Sequence, residues 1–423
     1  MYLFFVRHFN DIDHITPVVW KMKQDDYPVA VYCMNPRYDV GSDYRLCFLK
    51  SQGVTVNYLH HEFDQNRGRL HGLMHACIQQ CYAFQKRVAA PNRRQSGMLS
   101  RLPVKLAGLM GTFFYKITRT IYYDVRWARS ILEHTGARAI CFDHILPKRY
   151  VVNSILKAAR ESSIPALSLP HGVLLYTNEK TKPKSTDKRR IAKFSPYDFI
   201  LVTNQLRKEV LVRTGVAEKK ISVLGSARYC AEWLEQNKTI LPRVIEPNTD
   251  SSGKLKVVFM QSKPQCRVDV ERTSKTIDLL ADLTEIETTL KPHTRAGEKR
   301  QIGEAKIADV SHVLTAELCE WADVLLVVGS SVITEALMLG KPVLYLKYLH
   351  ENTTLFEDLG ACWVISDEAE LKKALLALHK NRTDIPYGAD NITEFISEVV
   401  YGGGRHRDVL ADYERFIVGC ASN

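Results

Sequence analysis

Gly329-Ser330-Ser331 brings two hydroxyls and the unbonded N–H groups of a starting helix to one point of the chain, with a lone acid, Glu335, about one turn further on. Such a point suits a phosphate, and a carboxylate one turn away can accept hydrogen bonds from a ribose. The same letters also fit serines that merely cap a helix and a glutamate in water, and the stretch alone does not separate the two readings. Four other places carry comparable chemistry. Asp143 and His144 close the run "AICFD", where a carboxylate can deprotonate an acceptor hydroxyl or attack a donor carbon, or only cap the next turn. His171-Gly172 in "SLPHGVLL" puts an imidazole at a strand tip, unless the glycine is there for an unusual φ and the histidine is incidental. His293 in "TLKPHTR" would be held charged by a neighbouring phosphate, or is a polar loop residue. His8, Asn10 and Asp11 in "RHFNDIDH" are placed to touch an acceptor, whereas Asp13 reads as the cap of the first helix.

These residues need elements to position them. Val324 to Val328 is continuously apolar, as in a parallel strand covered on both faces. Val332, Ala336 and Leu339 then fall on one helical face, Gly340 stops the helix, Lys341 complements its C-terminal dipole, and Pro342 leads into a second strand from Val343 to Leu346. The same alternation recurs along the chain. Strands are expected at 2–6, 29–33, 54–59, 137–142, 165–169, 199–202 and 221–224, and again at 256–261, 286–291, 307–310, 323–328, 343–346 and 362–365. Helices are expected between them, at Ile15 to Met22, Tyr44 to Leu49, Tyr150 to Arg160 and after Asn204. Residues 236–254 carry two prolines and a polar cluster and read as a linker. The expected organisation is an α/β chain with two doubly wound halves, 1–235 and 255–400, and a final segment, 401–423, whose helix (Asp408 to Val418) packs back on the first half. Ligands of such sheets bind at the C-terminal ends of the strands, here in a cleft between the halves.

With that strand order, "EALMLGKPVL" resembles the donor half of a GT-B glycosyltransferase, whose second domain binds the nucleotide and whose late helix carries a ribose-holding Glu. "TLKPHTR" is similar to the Lys-x-His-Pro segment of bacterial transferases that use CMP-sugars or CDP-polyols, with Thr294 where proline is usual. "SLPHGVLL" resembles the His-Gly motif of capsule and wall polymer transferases, including 3-deoxy-manno-octulosonic acid (Kdo) transferases and CDP-glycerol glycerophosphotransferases, with Pro170 where Gln is common. The resemblance implies a GT-B fold of two Rossmann-like domains. It makes Gly329, Ser330, Ser331, His293 and Glu335 the donor-binding residues, with Gly172 reaching the donor phosphate from across the cleft. Asp143, His144 and His171 are then the catalytic candidates, and His8, Asn10 and Asp11 lie on the acceptor side. The implied reaction moves a sugar from a nucleotide-sugar donor to a surface polysaccharide or lipid-linked glycan acceptor, with a CMP-linked acidic sugar placed ahead of a UDP-sugar. A CDP-polyol phosphotransferase, a non-hydrolysing UDP-sugar 2-epimerase and a binding protein that lost the chemistry are the rival readings.

A chain of 423 residues exceeds one ordinary core, and 45% apolar with 25% charged residues is the balance of a soluble globular protein. The apolar start is only five residues long before Arg7 and no span reaches bilayer length, so a cytoplasmic location is expected. Ten scattered cysteines then read as reduced thiols. A formal charge of +11 calls for an acidic partner. Residues 86–129 mix many cations with Leu102, Leu106, Leu109, Phe113 and Phe114, which suits peripheral attachment to an anionic membrane, the inner face of the plasma membrane. No zinc spacing, RNA-binding signature or recognition helix points to nucleic acid. His71, His75, Cys77 and Cys81 fall on different helical faces, and Asp11-x-Asp13 lies away from the donor site, so no metal is expected. Without a Walker loop or Gly-x-Gly-x-x-Gly, no cofactor is expected either.

Overall fold

A computed structural model describes residues 1–61, 68–89, 102–121, 123–144, 151–178, 187–245, 253–262, 268–292, 307–404 and 407–422. The first half is built on seven parallel strands: β1 (Tyr2–Val6), β2 (Val29–Cys33), β3 (Thr55–Tyr58), β4 (Ala139–Asp143), β5 (Ala166–Leu169), β6 (Phe199–Val202) and β7 (Ile221–Val223). Their order is β3-β2-β1-β4-β5-β6-β7. The described residues of the second half form six, β8 (Leu255–Met260), β9 (Ile286–Lys291), β10 (Ala308–Asp309), β11 (Val324–Val327), β12 (Val343–Leu346) and β13 (Trp363–Ile365), in the order β10-β9-β8-β11-β12-β13. Strand order reverses beside β1 in one sheet and beside β8 in the other, the switch points at which such sheets open a crevice. The alternate residues of each central strand serve two cores. Tyr2, Phe4 and Val6 pack on one face of the first sheet, and Leu3 and Phe5 on the other. Val258 and Met260 do the same against Val257 and Phe259 in the second. Helices cover both faces, so these strands are apolar at every position rather than at every second one.

The first helix runs over Phe9–Gln24, six residues earlier than the sequence pattern suggests, with extended His8 at its N-cap. Ile12, Ile15, Val19 and Met22 recur at helical spacing and are buried, which explains the earlier start. Asp13 is therefore inside the helix, not its cap. Lys341 also differs from expectation: its Nζ donates to the carbonyls of Glu320 (3.1 Å) and Ala322 (2.8 Å), ending the helix Thr315–Trp321 rather than its own. The stretch read as linker starts helical, because the helix Ala231–Ile240 runs into it, and Val244 and Ile245 donate backbone N–H groups to Glu317 Oε1, each at 2.5 Å.

The chain crosses back at its end. Phe395 and Val399 of the helix Ala389–Val399 belong to the second half's core. Val400, Val409, Leu410, Tyr413 and Ile417 join Ile15, Val18 and Trp20 in the first half's core. The helix Val409–Cys420 thus packs on the helix Phe9–Gln24. Ser226 N–H donates to Val400 O at 2.8 Å, and a Cβ on Gly225 would lie 2.3 Å from that same carbonyl. Only glycine admits so close a backbone approach.

Candidate active site at the strand ends

β1, β4 and β5 are neighbours in the first sheet, so the residues just beyond their C-terminal ends meet at one edge. Arg7 comes directly after β1, Asp11 stands in the first turn of the next helix, Asp143 ends β4, and His171 lies just beyond β5. Arg7 is the centre of the group. Its Nε is 2.6 Å and one terminal nitrogen 2.8 Å from the two carboxylate oxygens of Asp11, and its backbone N–H reaches Oδ2 as well, at 2.9 Å. The same terminal nitrogen donates to Asp143 Oδ2. His171 Nδ1 is 2.5 Å from that oxygen and 3.7 Å from Asp11 Oδ1, and His8 Nδ1 is 3.3 Å from Asp11 Oδ1.

The environment separates these groups. Asp11 and Asp143 are buried, at 0% and 1% exposure, whereas the His171 side chain is 34% exposed. Burial, and after it the neighbouring Asp143, pushes the Asp11 carboxyl up to about 7 against the pull of Arg7. Burial raises Asp143 also. Two carboxylates sharing one guanidinium cannot both ionise cheaply, so near neutrality the pair holds a proton between them. The arrangement can accept a proton from a ligand hydroxyl at the exposed His171 side and deliver it to a buried carboxylate. Asp11, Asp143 and His171 also bring ligand atoms within 4.8 Å of one another, the spacing of a three-donor cation site. Arg7 already bridges both carboxylates, so a metal would have to displace a guanidinium.

The other first-half candidates adjoin members of this group in the chain. His144 is buried and turns toward β6, its Nε2 3.3 Å from Leu201 O and its ring against Phe194. Burial, then the charge of Arg207, holds it well below the ordinary imidazole value, that is neutral. Asn10 is partly exposed in the first helical turn. Gly172 has φ +144 with nothing within 4 Å of a Cβ, so the backbone conformation alone calls for glycine.

In the second half, Gly329 has φ +64, and a Cβ there would lie 2.8 Å from the Tyr176 hydroxyl. That hydroxyl donates to Gly329 O at 2.8 Å, across from the first half. Ser331 takes the N-cap position of the helix Val332–Met338 without a side-chain cap, and Tyr229 O–H donates to its Oγ at 3.5 Å. Ser330 Oγ accepts from Val332 N at 3.4 Å. Glu335 is only 4% exposed and lines a cavity of about 40 Å³ with Asp13, Tyr44, Arg45, Arg228 and Thr315. Burial pushes its carboxyl up to about 7, with Arg228 pulling it down. Arg228 is itself 2.9 Å from Asp13 Oδ2, and Asp13 also pairs with Arg45. This space is too small for a nucleotide, so a ribose contact at Glu335 requires a wider cleft. Lys291, just before "PHTR" in the sequence, is buried and donates to Ser311 O (2.9 Å) and Val313 O. His293 lies outside the described residues, as do the side chains of His71 and His75.

Sequence reasoning passed over Arg7, Arg228 and the two tyrosines that join the halves. Arg7 had a local signal: it stands four residues before Asp11 where a strand hands over to a helix. Arg228, Tyr176 and Tyr229 had none, because their partners are distant in the chain.

No protein-family model and no curated protein matches the chain. Solved structures do. The chain is similar to a putative UDP-N-acetylglucosamine 2-epimerase from Listeria monocytogenes, with TM-score 0.55 and 11% identity over 95% of this chain and 92% of that one. It is similar to the UDP-GlcNAc 2-epimerase of Methanocaldococcus jannaschii, with TM-score 0.53 and 12% identity over the whole of both chains. A third match is the glycotransferase of kitacinnamycin, with TM-score 0.50 and 14% identity over 98% of this chain and 97% of that one. At such identities the likeness is one of architecture, two Rossmann-like halves in the GT-B arrangement.

Proposed function

We propose that this chain is a nucleotide-sugar enzyme that transfers a glycosyl group from a donor held by its second half to a hydroxyl activated by its first. The observation that carries this reading is the buried Asp11–Asp143 pair, bridged by Arg7 and flanked by the partly exposed imidazoles of His171 and His8. An acceptor O–H that meets this group loses its proton to the pair, and its oxygen attacks the anomeric carbon as the bond to the nucleotide phosphate breaks. A single displacement of this kind inverts the anomeric centre. Ser330, Ser331 and the adjoining N–H groups are the proposed phosphate contacts, with His293 beside them, and Glu335 the ribose contact. A CMP-linked acidic sugar or a UDP-sugar fits these donor contacts, and a surface polysaccharide or lipid-linked glycan is the proposed acceptor, met at the inner face of the membrane.

A 2-epimerase is the second reading, favoured by the names of the similar structures. There the same carboxylates would take a proton from a sugar carbon. One experiment separates the two. The protein is incubated in D2O with CMP-, CDP-, UDP- and GDP-sugars, with and without a glycan acceptor, and followed by NMR. Transfer predicts nucleotide release only with acceptor and no deuterium in the sugar. Epimerisation predicts deuterium at the carbon next to the anomeric centre without any acceptor. Neither signal with any donor would leave a binding protein and overturn both readings.

A further inference from the structure

Residues 65–123 contain ten of the chain's 58 Lys and Arg and none of its 47 Asp and Glu, so this one segment accounts for ten of the formal +11 charges. The remaining chain is close to neutral. The segment forms two long helices, Gly68–Ala89 and Leu102–Ile121, packed on each other between β3 and the helix Val125–His134. Among the described side chains of the two helices, Ile78, Ala107 and Gly111 are buried. Leu106, Leu109, Met110 and Phe113 repeat at the spacing of one helical stripe, which in a globular protein faces the core. Here it faces outward, with Leu109 68% and Phe113 60% exposed, and on the other helix Leu70 and Leu73 are exposed as well.

The hairpin also has a defined place. It follows β3 in the chain, and Tyr123, just after its second helix, stands at the C-terminal edge of the same sheet. There Tyr123 O accepts from Ser154 Oγ at 2.7 Å, in the first turn of the helix Val152–Glu161 that comes after β4. That end therefore stands on the edge that carries Asp11, Asp143 and His171. The charged apolar unit stops at this hairpin and does not extend to residue 129 as the sequence suggests. Trp127, Ala128 and Ile131 are core residues, and Arg129 pairs with Glu161 at 2.5 Å.

We infer that the helix pair Gly68–Ala89 and Leu102–Ile121 is a membrane-docking element that lays its apolar stripe into an anionic lipid surface and turns the acceptor edge of the first sheet toward it. Two features select this occupant. A second copy would bring ten like charges against ten, with no acid to offset them. A nucleic acid would satisfy the cations but leave the Leu and Phe stripe in water, whereas an anionic bilayer takes both. No described helix is long and apolar enough to cross a membrane, so the contact is interfacial. The inference deepens the transferase reading by placing a lipid-linked acceptor, yet it can be tested without turnover.

The test is flotation of the full chain with vesicles containing about one third phosphatidylglycerol, and with pure phosphatidylcholine, at about 0.1 M salt. Flotation is expected with the anionic vesicles alone. Leu106→Ser/Leu109→Ser/Phe113→Ser should lower partitioning by about tenfold or more. Arg87→Gln/Lys105→Gln/Lys116→Gln, at exposed cations of the two helices, should lower it on the order of 100-fold, and the second variant decides the matter if the first fails a circular-dichroism check of folding. Absence of flotation by the parent chain overturns the inference, as does flotation unchanged in the folded variants. It is equally overturned if the parent is a dimer that the serine variant splits, or if it binds an RNA oligomer more tightly than vesicles. None of these results bears on the D2O experiment, so the two proposals fail separately.

Discussion

Arg7 is the residue through which two buried acids coexist, and what it does to their protons sets the chemistry. Removing the charge at Asp143 without changing its size should stop turnover and leave donor affinity nearly intact, because Asp143 ends a first-half strand and the nucleotide is assigned to the second half. Asp143→Asn is therefore expected to lower kcat by at least about 100-fold with nucleotide Kd within about twofold, read by titration and rate on one preparation. If the pair is the base, it works only when deprotonated. The rate should then rise with pH through about 7, where burial and Asp143 place Asp11, and Asp11→Asn should remove that rise. Arg7, His8, His171 and Asp143 all face Asp11, so the apparent value belongs to the group and not to one residue. Asp143, His171 and Asp11 were each legible as polar residues at apolar strand ends. Their meeting was not, because Asp11 and Asp143 are brought together by strand order, which no local spacing encodes.

At the scale of elements, the turn after β11 does more than start a helix. Gly329 combines a left-handed φ with a tyrosine from the other half where a Cβ would stand. Gly329→Ala should cost about 1–3 kcal/mol, from the backbone conformation and from displacing the Tyr176 ring, and should weaken the hold of one half on the other. Chemical denaturation of Gly329→Ala, Tyr176→Ala and the double variant checks this. The double variant should recover part of the loss if the clash is real, whereas additive losses would show strain in the glycine alone. Element boundaries themselves were well marked. A fully apolar strand, a small or polar break and an amphipathic helix recur so regularly that all thirteen strands of the two sheets stand within about two residues of where the pattern puts them. Helix ends were less legible, since Asp13 has the letters of a cap but the surroundings of an ion pair.

The two halves of the molecule meet at several places, among them the tyrosines at the cleft, the backbone pairing of Leu175 and Thr177 with Leu355 and Thr353, and the returning C-terminal helix. Ile417 is fully buried in the core that also holds the first helix, so Ile417→Ala should cost about 2–4 kcal/mol and lower the urea midpoint. The cleft carries a pH dependence of its own. Glu335 is an acid whose folded value, about 7, lies above its unfolded one near 4.5, so the folded chain binds the extra proton. Stability must then fall as pH rises from about 4.5 through about 7, by on the order of 3 kcal/mol from this group. Glu335→Gln, which keeps the neutral shape, should raise Tm by a few degrees near pH 8 and leave it unchanged near pH 4, as a thermal scan at both values will read. The same substitution should weaken nucleotide binding if Glu335 meets ribose in a wider cleft.

By itself the sequence determined the α/β class, the two doubly wound halves and the strand ends at which chemistry belongs, because apolar period and turn residues are local properties written in neighbouring letters. It also determined that nearly all the excess charge lies in one segment. Only the tertiary structure decided that Arg7 joins Asp11 to Asp143, that His144 turns away, that Glu335 is enclosed against Arg228, and that an apolar stripe fit for a core faces outward instead. Each of these depends on which distant elements come to lie side by side. Burial and partner charge, the quantities that set a proton's affinity and a surface's role, exist only once that has happened.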